Sequence, residues 1–228
     1  MTLGLEALGR VLVIAPHPDD EVLGCGGTIA RLADDGGEVH VAIVTRGHPP
    51  AFSEEMSAKV RAEAKAAHGC LGVWQTHWLD HPAAQLSETP HSTLNRALQE
   101  LIQDLRPDGL FIPFIGDVHM DHHLVFLSAM VAARPHQSEY PRAILAYETV
   151  SETNWNAPYM TPGFIPNVFI DIEATLARKL EAMTMFTSQL RSFPHERSIE
   201  TLRALAIVRG TTVHRPAAEA FVLVRNVI

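Results

Sequence analysis

An α/β, Rossmann-like fold is predicted for this chain of 228 residues: a single domain, 1–228, on a mostly parallel sheet with helices on both faces. Three observations predict it. Apolar runs of strand length alternate four times with segments of helical spacing. The runs 11–16 and 110–115 have no polar interruption, as strands covered on both faces do. Short breaks rich in Gly, Pro and Asp separate the segments, as strand–helix–strand crossovers require.

The first strand is read over 11–16, and the Ile29/Leu32/Ala33 spacing predicts a helix over 24–35 that Gly36 and Gly37 end. The second strand, 39–44, leaves through Thr45, Arg46 and Gly47. Ser53 opens a helix that runs over 56–71 and closes at Gly72. A third strand, 74–79, stops at Asp80. Leu94, Leu98, Leu101, Ile102 and Leu105 predict a helix over 93–105, broken by Pro107-Asp108-Gly109 before the fourth strand, 110–115. Strands over 143–147 and 168–172 flank a polar, Pro- and aromatic-rich stretch, 148–166, expected to be a binding loop. Helices over 173–190 and 198–209 and a closing strand, 220–224, complete the pattern.

A formal charge of -8 and the lack of any Lys/Arg run argue against a nucleic-acid partner, so a small, glycan-like molecule is expected instead. Residues 1–6 lack the basic and apolar regions of a signal peptide, and no window reaches 18 uninterrupted apolar residues. A cytoplasmic protein with no membrane partner is expected. Two cysteines, Cys25 and Cys70, offer neither a disulfide framework nor a Cys-x-x-Cys metal pair, and are expected as buried small hydrophobes.

His17-Pro18-Asp19-Asp20-Glu21 follows the first strand, and His119-Met120-Asp121-His122-His123 follows the fourth. Strand carboxyl ends are where open α/β sheets bind ligands. His17 and Asp20, three residues apart in one turn, can offer a nitrogen and an oxygen to one ion, and His122 is the natural third donor. The result is a His/Asp/His site with an open position, the pattern of a catalytic Zn2+ whose bound water has a pKa near roughly 7. In that setting Asp19 acts as general base, and His119 polarises the carbonyl or protonates the leaving amine. Asp121 then fixes the tautomer of His119. Taken singly, each cluster has a plain structural reading, as a helix cap at Asp19 or Asp20 or as a solvated helix start at His119, His122 and His123. Two such clusters at two strand ends point to a site.

Residues 16–21 with Gly24, Gly26 and Gly27, Thr45-x-Gly47, the helix with Glu63, Ala67, Leu71 and Gly72, and His119-x-Asp121-His122 closely resemble the PIG-L/LmbE-like zinc-dependent N-deacetylases. Ala218-Glu219-Ala220-Phe221 resembles the C-terminal pattern of many members, so the resemblance covers nearly the whole chain. It implies removal of the N-acetyl group from an N-acetylglucosamine-type amino sugar or its conjugate, releasing acetate. It also implies zinc at His17, Asp20 and His122, Asp19 as base, and His119, oriented by Asp121, as electrostatic or acid partner. Relatives of this kind are often trimers or hexamers, which implies a homo-oligomer. Three positions depart from the pattern. Met120 stands where many members have Pro, and Val60 where many place a substrate-contacting Arg, leaving Arg61 as the nearest. Asp117 replaces an aromatic hydroxyl of some relatives, which leaves Tyr159 as the candidate oxyanion donor.

Further substrate contacts are expected from Arg46, toward a phosphate or carboxylate, from Trp155, toward a sugar face, and from His214. The resemblance implies Asp80 near the sugar hydroxyls. Gly24 to Gly27 lacks the G-x-G-x-x-G spacing of a dinucleotide loop, so these glycines are read as letting the helix approach the sheet. Two rival readings remain open. A non-haem iron oxygenase uses the same two imidazoles and carboxylate, generally on an all-β scaffold. A non-catalytic nucleotide-binding module would use the first turn alone and leave the second cluster unexplained.

Overall fold

Alternate residues of the first strand, β1 (Arg10–Ala15), serve two cores: Val11, Val13 and Ala15 pack on one side of the sheet, and Leu12 and Ile14 on the other. A strand apolar on both faces must be covered twice, and the chain supplies the covers in order. The computed structural model describes residues 8–228; the segment 1–7, on which the signal-peptide reading rests, lies outside the described residues. After β1 come α1 (Asp20–Asp34), β2 (Glu38–Arg46), α2 (Glu54–Leu71), β3 (Gln75–Pro82), a 3-10 turn (Leu86–Glu88) and α3 (His91–Leu105). Then follow β4 (Gly109–Pro113), α4 (Met120–Ala132), β5 (Ala143–Tyr147), β6 (Val168–Asp171), α5 (Leu176–Met185), α6 (Ile199–Thr211) and β7 (Ala218–Asn226).

All seven strands join one sheet in the order β3-β2-β1-β4-β5-β7-β6. Strands β1 to β5 pair parallel, and β7 runs antiparallel between β5 and β6. The predicted mostly parallel α/β sheet is what the chain builds. Leu23, Ala64, Leu180 and Leu202 bring α1, α2, α5 and α6 onto one face, while Leu98, Ile102, Val125 and Ala129 bring α3 and α4 onto the other. Emptying one such large aliphatic position costs about 2–5 kcal/mol. From β1 the chain winds outward to β3, and from β4 outward to β5. The crevice between the carboxyl ends of the adjacent β1 and β4 is therefore the point where the winding reverses, the place such sheets keep for ligands.

Helix α1 begins at Asp20, four residues before the helical spacing predicts, and is kinked at Cys25 (φ -142°, ψ 23°). A Cβ at Gly24 would lie 2.2 Å from Cδ2 of Tyr147, whose hydroxyl donates to the Ile14 carbonyl at 2.9 Å. Only glycine permits that approach. Strand β3 runs through Asp80 to Pro82 instead of ending before it, and β4 stops at Pro113. Helix α5 is the largest departure. It ends at Met185, because Thr187 and Ser188 turn away to the buried Glu63 on α2, with Ser188 N donating to Oε1 at 3.1 Å. Residues 187–198 then cross the carboxyl end of the sheet as a loop. Cys25 is buried as expected, whereas Cys70 is only half-buried. Among the described residues no helix is long and apolar enough to cross a membrane.

Candidate metal centre

The turn after β1 is fixed by backbone bonds. Thr45 donates to the Pro16 carbonyl from both N (3.0 Å) and Oγ1 (2.8 Å), and Val22 and Leu23 donate to the Asp19 carbonyl. Asp19 itself is held in the left-handed region at φ 120°. A non-glycine residue there carries roughly 1–3 kcal/mol of strain, which the surrounding structure must offset. The turn delivers His17, Asp19 and Asp20 to the crevice. Across it, the first turn of α4 delivers His119, Asp121 and His122.

The donor atoms of His17, Asp20 and His122 all lie within 4.8 Å of one another. Asp20 Oδ2 is 3.2 Å from His17 Nδ1 and 3.2 Å from His122 Nε2. His122 Nε2 is buried, yet among the described residues it makes no hydrogen bond. Two imidazole nitrogens and a carboxylate oxygen, one of them buried with no partner of its own, are a donor set that fits a divalent ion. The remote nitrogen of each histidine is held by a carboxylate. His122 Nδ1 bonds Asp117 Oδ2 at 2.8 Å, and Asp117 Oδ1 accepts from Thr153 Oγ1 at 2.6 Å. His17 Nε2 bonds Asp121 Oδ2 at 3.1 Å, and Asp121 also accepts from Ala84 N (2.7 Å) and Leu86 N (3.3 Å). Such outer carboxylates set the tautomer and aim of a metal-binding imidazole.

Two sequence expectations change here. The Asp121 carboxylate bonds His17, not His119; it is the Asp121 backbone N–H that donates to His119 Nδ1, at 3.1 Å. That bond leaves the proton of neutral His119 on Nε2. Asp117, read only as a missing hydroxyl, is the buried partner of His122.

The charges are tightly matched. Burial opposes ionisation of Asp20, but His122 and His17 hold its carboxyl well below the usual range. Burial likewise opposes protonation of His17 and His122; hydrogen bonds to Asp121 and Asp20 carry the first up to about 9, and Asp20 and Asp117 carry the second up to about 10. Burial, then the charge of His17, pushes His119 down to about 4. Burial pushes Asp19 up to about 8 against the pull of Arg197, whose Nη1 donates to Asp19 Oδ2 at 3.0 Å. Arg197 is anchored in turn by Ser151 Oγ (2.8 Å) and Gln189 Oε1 (3.3 Å).

A cavity of about 450 Å³, within the range of small-molecule sites, opens over these groups. Asp19, His17 and His119 line it, as do three of the expected substrate contacts, Arg46, Arg61 and Asp80. Arg46 is paired with Glu54. Arg61 pairs with Asp80 at 3.1 Å and lies 4.3 Å over the Trp78 ring. Trp155 lines a smaller neighbouring cavity instead. His214 is exposed in the turn between α6 and β7 and lines neither cavity, and Tyr159, 87% exposed, also lies away from both. The α6–β7 turn lies at the β6 edge of the sheet, where Arg215 pairs with Asp171 at 3.6 Å, with β5 and β7 between it and the β1/β4 crevice. Gln189, Arg191, Arg197 and Glu152 line the main cavity without having been singled out. Helical spacing through Leu190 hid Gln189; Arg191 and Arg197, between the two predicted helices, and Glu152 had no local signal.

Many known proteins are similar to this chain. A 1D-myo-inositol 2-acetamido-2-deoxy-alpha-D-glucopyranoside deacetylase of Rhodococcus jostii is 29% identical, over 81% of this chain and 83% of its own. A diacetylchitobiose deacetylase of Thermococcus kodakarensis is also 29% identical, over 88% and 78%. The solved N,N'-diacetylchitobiose deacetylase of Pyrococcus horikoshii superposes with a TM-score of 0.78 at 25% identity, covering 97% of this chain and 86% of that one. The family model described as PIG-L, GlcNAc-PI de-N-acetylase, matches residues 12–133, more than half of the chain and the stretch that holds both His/Asp clusters. The chain belongs to the PIG-L family.

Proposed function

We propose that this protein is a zinc-dependent N-deacetylase that cleaves the acetamide of an N-acetylglucosamine-type amino sugar or its conjugate, releasing acetate and a free amine. We read the whole chain, 1–228, as one such domain. The observation that carries the reading is the convergence of His17, Asp20 and His122 at the β1/β4 crevice, with Asp19 and His119 on the wall of the same cavity. Membership of a de-N-acetylase family and relatives named as amino-sugar deacetylases support the substrate class.

Two imidazoles and one carboxylate suit zinc, with His17, Asp20 and His122 as its holders. When bound, zinc supplies Lewis acidity toward the amide carbonyl and lowers the pKa of water in its open position. Asp19, in its ionised form, takes the proton of the attacking water. Its Oδ2 is engaged by Arg197, while Oδ1 accepts no hydrogen bond from the described residues and is free for that proton. Neutral His119 presents Nε2–H to the cavity, where it donates to the oxygen on which negative charge develops. Collapse of the tetrahedral carbon expels the amine, which takes up the proton Asp19 accepted. Arg61 and Asp80, which also line the cavity, offer polar contacts for sugar hydroxyls.

The test is acetate release. Zinc-loaded protein, kept free of oxygen, is incubated with a panel of N-acetylglucosamine conjugates, and acetate and primary amine are measured together. Equal amounts of both, abolished by chelation, are expected. Oxygen-dependent turnover would instead favour an iron oxygenase, and acetate no higher than in the chelated sample, in protein carrying one zinc per chain, would overturn the proposal.

A further inference from the structure

The main cavity borders a second one of about 150 Å³, and Glu152, Gln189, Arg191 and Arg197 line both. A group linked to a sugar seated at the metal centre would meet this shared wall. Four arginines line the main cavity. Three of them have acid partners: Arg46 with Glu54, Arg61 with Asp80, and Arg197 with Asp19 (3.0 Å) and Glu152 (3.5 Å). Arg191 has none among the described residues. Its Nη1 donates to the carbonyls of Ser188 (2.8 Å) and Leu190 (3.0 Å), so backbone aims it where a counter-ion would otherwise do so.

The loop that carries Arg191 is fixed at both sides. Glu63 grips Thr187 and Ser188, and Arg191 N donates to the Arg197 carbonyl at 3.2 Å. Glu152, the carboxylate on the shared wall, is taken by Arg197. A cation held ready without an acid, at the reaction cavity of a chain with net charge -8, suits an anion brought by the substrate. Beyond it, Trp155 is 56% exposed, and its ring is steadied by an edge contact with His195 at 6.1 Å. An exposed indole lining the same cavity as the exposed Arg191 is a surface for a flat or ring-shaped moiety.

We propose that the substrate is an anionic conjugate: an N-acetylated amino sugar bearing a phosphate or carboxylate that Arg191 binds, with its linked moiety in the side cavity against Trp155. This rests on the deacetylase reading and narrows its substrate class.

The test compares N-acetylglucosamine 1-phosphate, the carboxymethyl glycoside of N-acetylglucosamine and the uncharged methyl glycoside, on zinc-loaded parent and on Arg191→Gln and Arg191→Lys. The readout is the ratio of kcat/KM for each anion to that for the methyl glycoside within one protein. A charge-assisted contact makes that ratio roughly tenfold in the parent. It should fall to within about twofold in Arg191→Gln and be partly kept in Arg191→Lys. Which anion is favoured tells phosphate from carboxylate. Binding of the amine products, which are not consumed, is measured alongside by calorimetry. Equal treatment of charged and uncharged sugars by the parent, or a preference unchanged in Arg191→Gln, overturns the anionic class while leaving deacetylation intact. An Arg191-dependent preference in product binding, with no acetate from any sugar, upholds the anionic class and overturns the deacetylase reading.

Discussion

Asp117 gives the sharpest handle on the metal centre, because it acts on His122 from the side away from the ion. Both residues are fully buried. Asp117 Oδ2 accepts from His122 Nδ1–H at 2.8 Å, which keeps that proton in place when the ion displaces the one on Nε2, the nitrogen facing Asp20. In Asp117→Leu, of similar shape, Nδ1 has no acceptor, whereas Nε2 still lies 3.2 Å from the Asp20 carboxylate. The last proton of the imidazole then stays on Nε2, and a protonated nitrogen cannot bind a cation. Losing an outer carboxylate of this kind costs about 10- to 100-fold in metal affinity, or about 1.4–2.8 kcal/mol. Full burial puts Asp117→Leu at the upper end. Asp117→Asn can still accept through its amide oxygen and should fall between parent and Leu. Zinc dissociation constants from competition with a chromophoric chelator measure the series, and thermal melting of the metal-free variants checks the fold. A folded Asp117→Leu protein with zinc affinity within about threefold of the parent would refute the reasoning.

Asp19→Asn is nearly isosteric and tolerates positive φ, so it should keep zinc and lose turnover by at least about 100-fold; acetate release near the parental rate would remove Asp19 as the base. Zinc binding near pH 7 should release protons, because His17 and His122 hold theirs up to about 9 and about 10 without metal. Calorimetry in buffers of different ionisation enthalpy counts them, and a buffer-independent heat would contradict that charge state. His40 and His77 share a 3.1 Å hydrogen bond between β2 and β3, and burial lowers both below the ordinary histidine value. Their folded pKa values are depressed, so the stability they contribute is complete above about pH 6.5 and is lost as pH falls through the folded values. Melting temperatures should drop less between pH 7.5 and 5.5 in His40→Gln/His77→Gln than in the parent; equal slopes would show that the pair does not govern acid sensitivity.

Much of this protein was legible because its signals are local. Uninterrupted runs such as Leu110 to Ile112 lie in the middle of the sheet because both faces are covered, and the paired His/Asp clusters lie together because β1 and β4 are neighbours at the point where the winding reverses. What stayed hidden is non-local. Leu180, Met183, Phe186 and Leu190 carry helical spacing, but Glu63 on α2 supplies acceptors that draw Thr187 and Ser188 out of the helix. That loop brings Arg191 and Arg197 to the cavity from far along the chain. Asp121 shows the same limit: spacing places it beside His119, yet only the fold decides that its carboxylate meets His17, 104 residues earlier.

Anomalous diffraction at the zinc edge from crystals grown with zinc tests the central claim most directly. The account predicts one strong peak bound jointly by His17, Asp20 and His122, with ligand distances near roughly 2.0–2.2 Å. A fully zinc-loaded crystal whose peaks all lie away from those three side chains would contradict it.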